Sequence, residues 1–182
     1  MVIRYLKELV YFFCHRILWL LFYIPSIKLR VLLLRLCGAK IGKNVSIHMG
    51  VKIISPWNLS IGDNSTINSS CMIDARGIIT ISENVMIGYQ SSIHSIGHKY
   101  KEDNFPVFKA QVNIKHNVII FSHCFIGPGV LLNSGCTLLP KTVVLSGQFD
   151  SGTTLLGNPY KVLDEKNISN RGKQFHNSPF GF

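Results

Sequence analysis

The sequence predicts an all-β solenoid, a parallel β-helix, and three observations carry that prediction. Apolar residues recur at every sixth position from Ile114 to Val144, through Ile120, Ile126, Leu132 and Leu138. A smaller residue stands four places after each of the first five, at Val118, Cys124, Val130, Cys136 and Thr142. The same hexads run upstream through Ile41, Ile47, Ile53 and Leu59, then Ile61, Ile67, Ile73 and Ile79, then Ile81, Ile87 and Ile93. A period of six fits neither a helix nor the plain alternation of a strand. It fits a chain wound as a triangular prism, with one short strand and one corner per hexad. The large aliphatic then points inward and the smaller residue packs near the corner.

Ahead of the hexads, residues 1–37 form a basic, apolar, helical extension. Leu9 to Ile24 is an apolar run broken at its centre by His15 and Arg16 and ended by Pro25. It is shorter than the roughly 20 residues of a spanning helix, and it carries charge where charge costs most. Arg4 and Lys7 precede it as in a signal peptide, but no small-residue cleavage site follows. Ile27 to Cys37 alternates aliphatics with Lys28, Arg30 and Arg35, as a helix lying in a membrane interface would. The alternative is that both helices cap the open end of the solenoid and meet a subunit neighbour. Of the formal net charge of +10, residues 1–43 hold eight cations against Glu8 alone, a net +7. Nucleic acid is the usual partner of such a balance. Here the cations are interleaved with Leu, Ile, Trp and Phe, which a phosphate backbone does not require. A membrane surface accounts for both, so peripheral, cytoplasm-facing attachment is expected and nucleic acid is not.

The solenoid spans residues 38–163. Ile41-Gly42-Lys43-Asn44, Ile61-Gly62-Asp63-Asn64 and Ile81-Ser82-Glu83-Asn84 lie 20 residues apart, a three-hexad coil of 18 plus two inserted residues. Asn and Gly suit corners because they tolerate positive φ. Roughly five or six coils stack into one cooperative core. Pro56-Trp57 and Arg76-Gly77 mark the slips and should be surface bulges. The register breaks outright over residues 94–111, an excursion too polar for the interior that contains Gly97, His98, Tyr100, Lys101, Glu102, Asp103 and Pro106. A long loop on a rigid scaffold is where function concentrates. The five cysteines include no C-x-x-C pair, which excludes a disulfide framework or zinc ribbon. Cys71, Cys124 and Cys136 sit in the small-residue slot as core packing. Leu155 to Leu163 is a strand-like run broken by Gly157-Asn158-Pro159, and residues 164–182 form a polar, aperiodic tail.

The hexads, the excursion with Gly97-His98, and Gly157-Asn158-Pro159-Tyr160-Lys161 together resemble the hexapeptide-repeat O-acetyltransferases. Asp74-Ala75-Arg76-Gly77, Ile81-Ser82-Glu83-Asn84-Val85 and Gly97-His98 follow the order of the colanic-acid and maltose/galactoside type. The resemblance covers residues 38 to 163. It implies a left-handed helix, a homotrimer with sites between adjacent prisms, acetyl-CoA as donor, no metal, and a sugar hydroxyl as acceptor. Flat prism sides carrying apolar residues also have a motive to bury one another. The acceptor it suggests is a surface polysaccharide or its lipid-linked precursor, at the inner face of the bacterial inner membrane.

Carried over by the resemblance, His98 matches the family's general base, and histidine suits that task at neutral pH. Ser122, in Asn117-Val118-Ile119-Ile120-Phe121-Ser122-His123, matches a donor to the oxyanion. Asp74 is the nearest match to the sugar-binding acid, with His94 and Tyr100 as further candidates for acceptor binding. Ser122, Pro140, Asn158 and Lys161 are the candidates for binding the coenzyme. His48, His116 and His176 read as surface residues, and His123 as cofactor-adjacent or exterior. The chain departs from the family pattern at Phe121 and Leu139, where Gly is usual, and at Pro140-Lys141-Thr142-Val143-Val144. Bulk there narrows the acyl slot and favours acetyl over longer groups. Three other readings share the fold. A γ-type carbonic anhydrase would bind zinc through a set such as His94, His98, His116 and His123. A small-molecule acetyltransferase would modify a xenobiotic or free sugar, and a purely structural solenoid would bind no coenzyme. Serine acetyltransferase is disfavoured by Ala75, where that family's His is expected.

Overall fold

A computed structural model describes residues 23–163 of the chain. Most of the Leu9–Ile24 run, His176 and the tail at 164–182 lie outside the described residues.

Helix α1 (Ile27–Leu36) starts at Ser26, whose hydroxyl accepts from the Leu29 N–H. Arg35 in its last turn donates to the carbonyls of Ile41 and Gly42, fastening the helix to the first coil. Arg30, Val31 and Leu34 form its buried face. Arg30 donates from Nε to the Ile47 carbonyl at 2.9 Å and from Nη1 to the Ile24 carbonyl. Arg30 is thus buried against the solenoid instead of facing outward with Lys28. One face of α1 caps the open end, while Leu29, Leu32 and Leu36 remain exposed. Arg30→Ala should destabilise the protein by about 1–3 kcal/mol, because two carbonyls lose a charged donor; the check is a denaturant melt with unchanged m-value.

Six coils follow. The first holds β1 (Lys40–Ile41), β2 (Ser46–Ile47) and β3 (Lys52–Ile54). The second holds β4 (Leu59–Ile61), β5 (Thr66–Ile67) and β6 (Met72–Asp74). The third holds β7 (Ile79–Ile81), β8 (Met86–Ile87) and β9 (Ser92–His94). The excursion is a hairpin, β10 (Ile96–His98) with β11 (Val107–Lys109). Then come β12 (Val112–Ile114), β13 (Ile119–Ile120) and β14 (Phe125–Ile126), and β15 (Leu131–Leu132), β16 (Thr137–Leu138) and β17 (Val143–Val144). The last coil has β18 (Gln148–Phe149) and β19 (Thr154–Leu156), on which β20 (Lys161–Leu163) folds back antiparallel. Stacking makes three faces, ordered β1-β4-β7-β12-β15-β18, β2-β5-β8-β13-β16-β19-β20, and β3-β6-β9-β14-β17.

The inward hexad residues from Ile47 to Leu155 form one continuous core, joined by Val118, Cys124, Val130 and Cys136 from the small slot. Cys71 lies there too, and burial pushes its thiol up to about 11. The asparagines at the signature corners are left-handed, with φ of 53° at Asn44, 57° at Asn64 and 56° at Asn84. Their glycine neighbours serve a different purpose. Gly62 has no positive φ, but a Cβ on it would stand 2.6 Å from the Glu83 nitrogen in the next coil.

Candidate active site

The third face brings Ile54, Asp74 and His94 into register as successive pairing partners. Asp74 is buried and receives a bidentate grip from Arg76: Nε lies 2.9 Å from Oδ1 and Nη2 lies 2.6 Å from Oδ2. Burial alone would raise its pKa, but the hydrogen bonds and charge of Arg76 outweigh it and hold the carboxyl below the usual range. His94 stacks on Phe125, centroids 5.1 Å apart, with Nδ1 3.8 Å from Asp74 Oδ2. Desolvation lowers its pKa, Asp74 opposes this, and the net shift is downward. His48 is likewise lowered, by burial and by the charge of Arg30.

For both histidines the unfolded chain binds the proton first. Their contribution is therefore whole above the ordinary value of 6.5 and is lost as pH falls below it. The Asp74 contribution is whole above its ordinary value of 3.8 and disappears only through its lower folded value. Melting temperature should thus fall between about pH 7.5 and pH 5.5, and a His48→Gln/His94→Gln protein should show a flatter profile over that range.

The hairpin leaves from the corner after His94. In its connecting turn Asn104 and Phe105 take φ of 63° and 46°, a conformation non-glycine residues rarely adopt. That turn points the Phe105 carbonyl at His98, whose Nδ1 lies 2.7 Å from it. A carbonyl only accepts, so Nδ1 carries the proton and the Nε2 lone pair of neutral His98 is left as acceptor. His98 and Tyr100 are exposed. A Cβ on Gly97 would stand 3.0 Å from Cε1 of Phe108 and 3.4 Å from Cγ of Pro128, so glycine lets the hairpin lie close over the next corner.

The coenzyme candidates sit on a different edge. Ser122, Pro140 and Asn158 fall at the corner between the second and third faces, in three successive coils. The Lys141 N–H donates to the Ser122 carbonyl, and the Val143 N–H to the Gly157 carbonyl. Ser122 is half-buried, Pro140, Asn158 and Lys161 are exposed, and Phe121 is exposed on the same edge. His123 meets Tyr89 edge-on and His116 lies 3.6 Å from Glu83. Within one chain the structure thus gathers Asp74, His94 and His98 on one edge and Ser122, Pro140 and Asn158 on another. Among the described residues no three metal-ligating side chains converge.

Sequence reasoning missed Arg76 as partner of Asp74, Phe125 beneath His94, and the Phe105 carbonyl. The i, i+2 spacing of Asp74 and Arg76 was a usable signal; a backbone carbonyl leaves none.

No protein-family model matches the chain. Over 137 residues it is 31% identical to a protein named colanic acid biosynthesis acetyltransferase WcaF from Escherichia coli K12, an alignment covering 75% of each. The chain belongs to the hexapeptide-repeat acetyltransferases. This acetyltransferase is also 25% identical over 173 residues to the galactoside O-acetyltransferase of Escherichia coli K12, covering 93% of this chain and 81% of that protein. A galactoside acetyltransferase structure in complex with coenzyme A matches it with a TM-score of 0.78 at 23% identity, over 93% of this chain and 86% of that one. That likeness carries the fold.

Proposed function

We propose that this acetyltransferase moves acetyl from acetyl-CoA to a hydroxyl of a surface-polysaccharide sugar or its lipid-linked precursor, with residues 38–163 as catalytic domain and His98 as general base. The observation that carries this reading is the contact between His98 Nδ1 and the Phe105 carbonyl, which in a neutral imidazole leaves Nε2 as the acceptor a hydroxyl proton needs. In the reaction Nε2 takes the hydroxyl proton while the sugar oxygen forms a bond to the thioester carbon. The carbonyl oxygen gains the electron pair and Ser122 donates to it. The C–S bond then breaks, and the proton on Nε2 passes to the departing thiolate.

A homotrimer supplies what one chain lacks. His98 and Ser122 lie on different edges of the prism, so a neighbour must present its Ser122 edge to the hairpin of this chain. Pro140, Asn158 and Lys161 then border the coenzyme, while Asp74, His94 and Tyr100 belong to the acceptor side. Phe121 on the coenzyme edge favours acetyl over longer acyl groups. Leu29, Leu32 and Leu36, exposed beside Lys28, support peripheral attachment to the inner face of the inner membrane, together with the basic, apolar residues ahead of them.

The test incubates full-length protein with acetyl-CoA and candidate saccharides, following acceptor-dependent thiol release and the mass gain of one acetyl group. Sugar-dependent release is expected. Thiol release that no saccharide stimulates, with no acetylated product, would overturn the assignment. Co-sedimentation with anionic vesicles tests the membrane part: binding should weaken in a Leu29→Gln/Leu32→Gln/Leu36→Gln protein.

A further inference from the structure

Three successive coils carry an insertion at the same corner. Because Ile54, Asp74 and His94 are register partners, residues 55–58, residues 75–78 and the hairpin after Ser95 all leave the prism from one edge, stacked about 4.8 Å apart. Hydrogen bonds fasten them together. Asn58 Nδ2 donates to the Ala75 carbonyl at 3.1 Å, the Gly77 N–H donates to Ser95 Oγ at 2.8 Å, and Ser95 Oγ donates to the Asp74 carbonyl at 2.7 Å. The result is a rigid ledge continuous with the root of the His98 hairpin.

On the two lower steps of that ledge Trp57, Arg76 and Ile78 face solvent, and the first two carry the chemistry. Trp57 is 54% exposed in the short 3-10 turn Pro56–Asn58, over buried Pro56. Arg76 has 47% of its side chain exposed, while the Asp74 carboxylate it grips is only 1% exposed. The anion of the pair is thus sealed beneath the cation, and an approaching molecule meets a guanidinium where the sequence led us to expect an acid.

We propose that this ledge is an acceptor subsite for a second sugar unit bearing an anionic group, with Trp57 stacked on a sugar face and Arg76 paired to the anion. An indole offers a flat apolar surface to the C–H face of a pyranose. A guanidinium matches a carboxylate or phosphate in planar geometry. The two residues lie one and two coils below the root of the hairpin, a reach that only an acceptor longer than a single sugar spans. The inference rests on the reading of the protein as a sugar O-acetyltransferase and narrows its substrate to acidic saccharides of two or more units.

Calorimetry on the full-length protein tests it with four probes: a uronic-acid-containing disaccharide, its neutral counterpart, the neutral monosaccharide and a sugar phosphate. The acidic disaccharide should bind about tenfold tighter than the neutral one, the size of one charge-assisted hydrogen bond, and the margin should shrink as salt is raised. Arg76→Gln should erase the preference. Since that change strands a buried carboxylate, the paired D74N/R76Q protein serves as a second route to the same result. Trp57→Ala should leave the neutral disaccharide binding no better than the monosaccharide. Equal binding of acidic and neutral disaccharides at low salt would overturn the anionic subsite. A Trp57→Ala protein that keeps its full preference for two units would overturn the stacking. Tightest binding by the sugar phosphate, a single unit, would overturn the requirement for two units. Binding as described without acetyl transfer to any sugar would leave the ledge standing and overturn the catalytic reading; transfer to sugars without preference would do the reverse.

Discussion

His98→Ala should lower kcat by about 10²- to 10⁴-fold, the usual contribution of a positioned general base. Folding should be nearly untouched. His98 is exposed at the end of β10, and its strand pairing with Val107 uses backbone alone. Exposed substitutions of this kind stay within about 0.5 kcal/mol. The measurement is steady-state acetyl transfer beside a thermal melt. Near-normal transfer by a folded variant would remove His98 from the mechanism and with it the meaning of the Phe105 contact. Loss of activity with collapse of the melt would instead make the residue structural.

Gly88→Ala should cost both stability and rate. A Cβ there would stand 2.6 Å from the Phe121 carbonyl carbon, 2.7 Å from the Ser122 nitrogen and 2.9 Å from the Ile120 oxygen. These are backbone atoms of the next coil and cannot rotate aside. The coils must part locally, at an overpacking cost of about 1–3 kcal/mol. Ser122 moves with them, and a displacement approaching 1 Å at a reacting centre costs on the order of 10²-fold in rate. Gly152→Ala makes the contrast. That glycine has open space around its Cβ position but a φ of 82°, so the variant should lose about 1–2 kcal/mol through backbone strain with transfer unchanged. A Gly88→Ala enzyme with full activity would show that Ser122 need not be held where it is.

The hexads determined the prism by themselves. A large aliphatic every sixth residue can be buried only if the chain turns a corner between each pair, and Ile47, Ile67, Ile87, Ile120 and Leu138 accordingly stack in one inward row. The slips at Pro56-Trp57 and Arg76-Gly77, and the break at 94–111, were also legible, because an insertion shifts the period of everything after it. Gly97-His98 made His98 the candidate base through resemblance alone.

What period could not reveal was which outward residues meet across stacked coils, since those pairs lie a whole coil or more apart in sequence, 17 residues for Asn58 and Ala75, and depend on the exact corner geometry. His94 stacking on Phe125 and the acceptor and coenzyme candidates parting onto two edges follow from that stacking. The tautomer of His98 depends on a carbonyl turned inward by two left-handed residues, and Arg30 is buried because α1 folds back on the first coil. The repeat fixed the scaffold through local sterics; the charges and donors on its edges acquired partners only when the coils were laid one upon another.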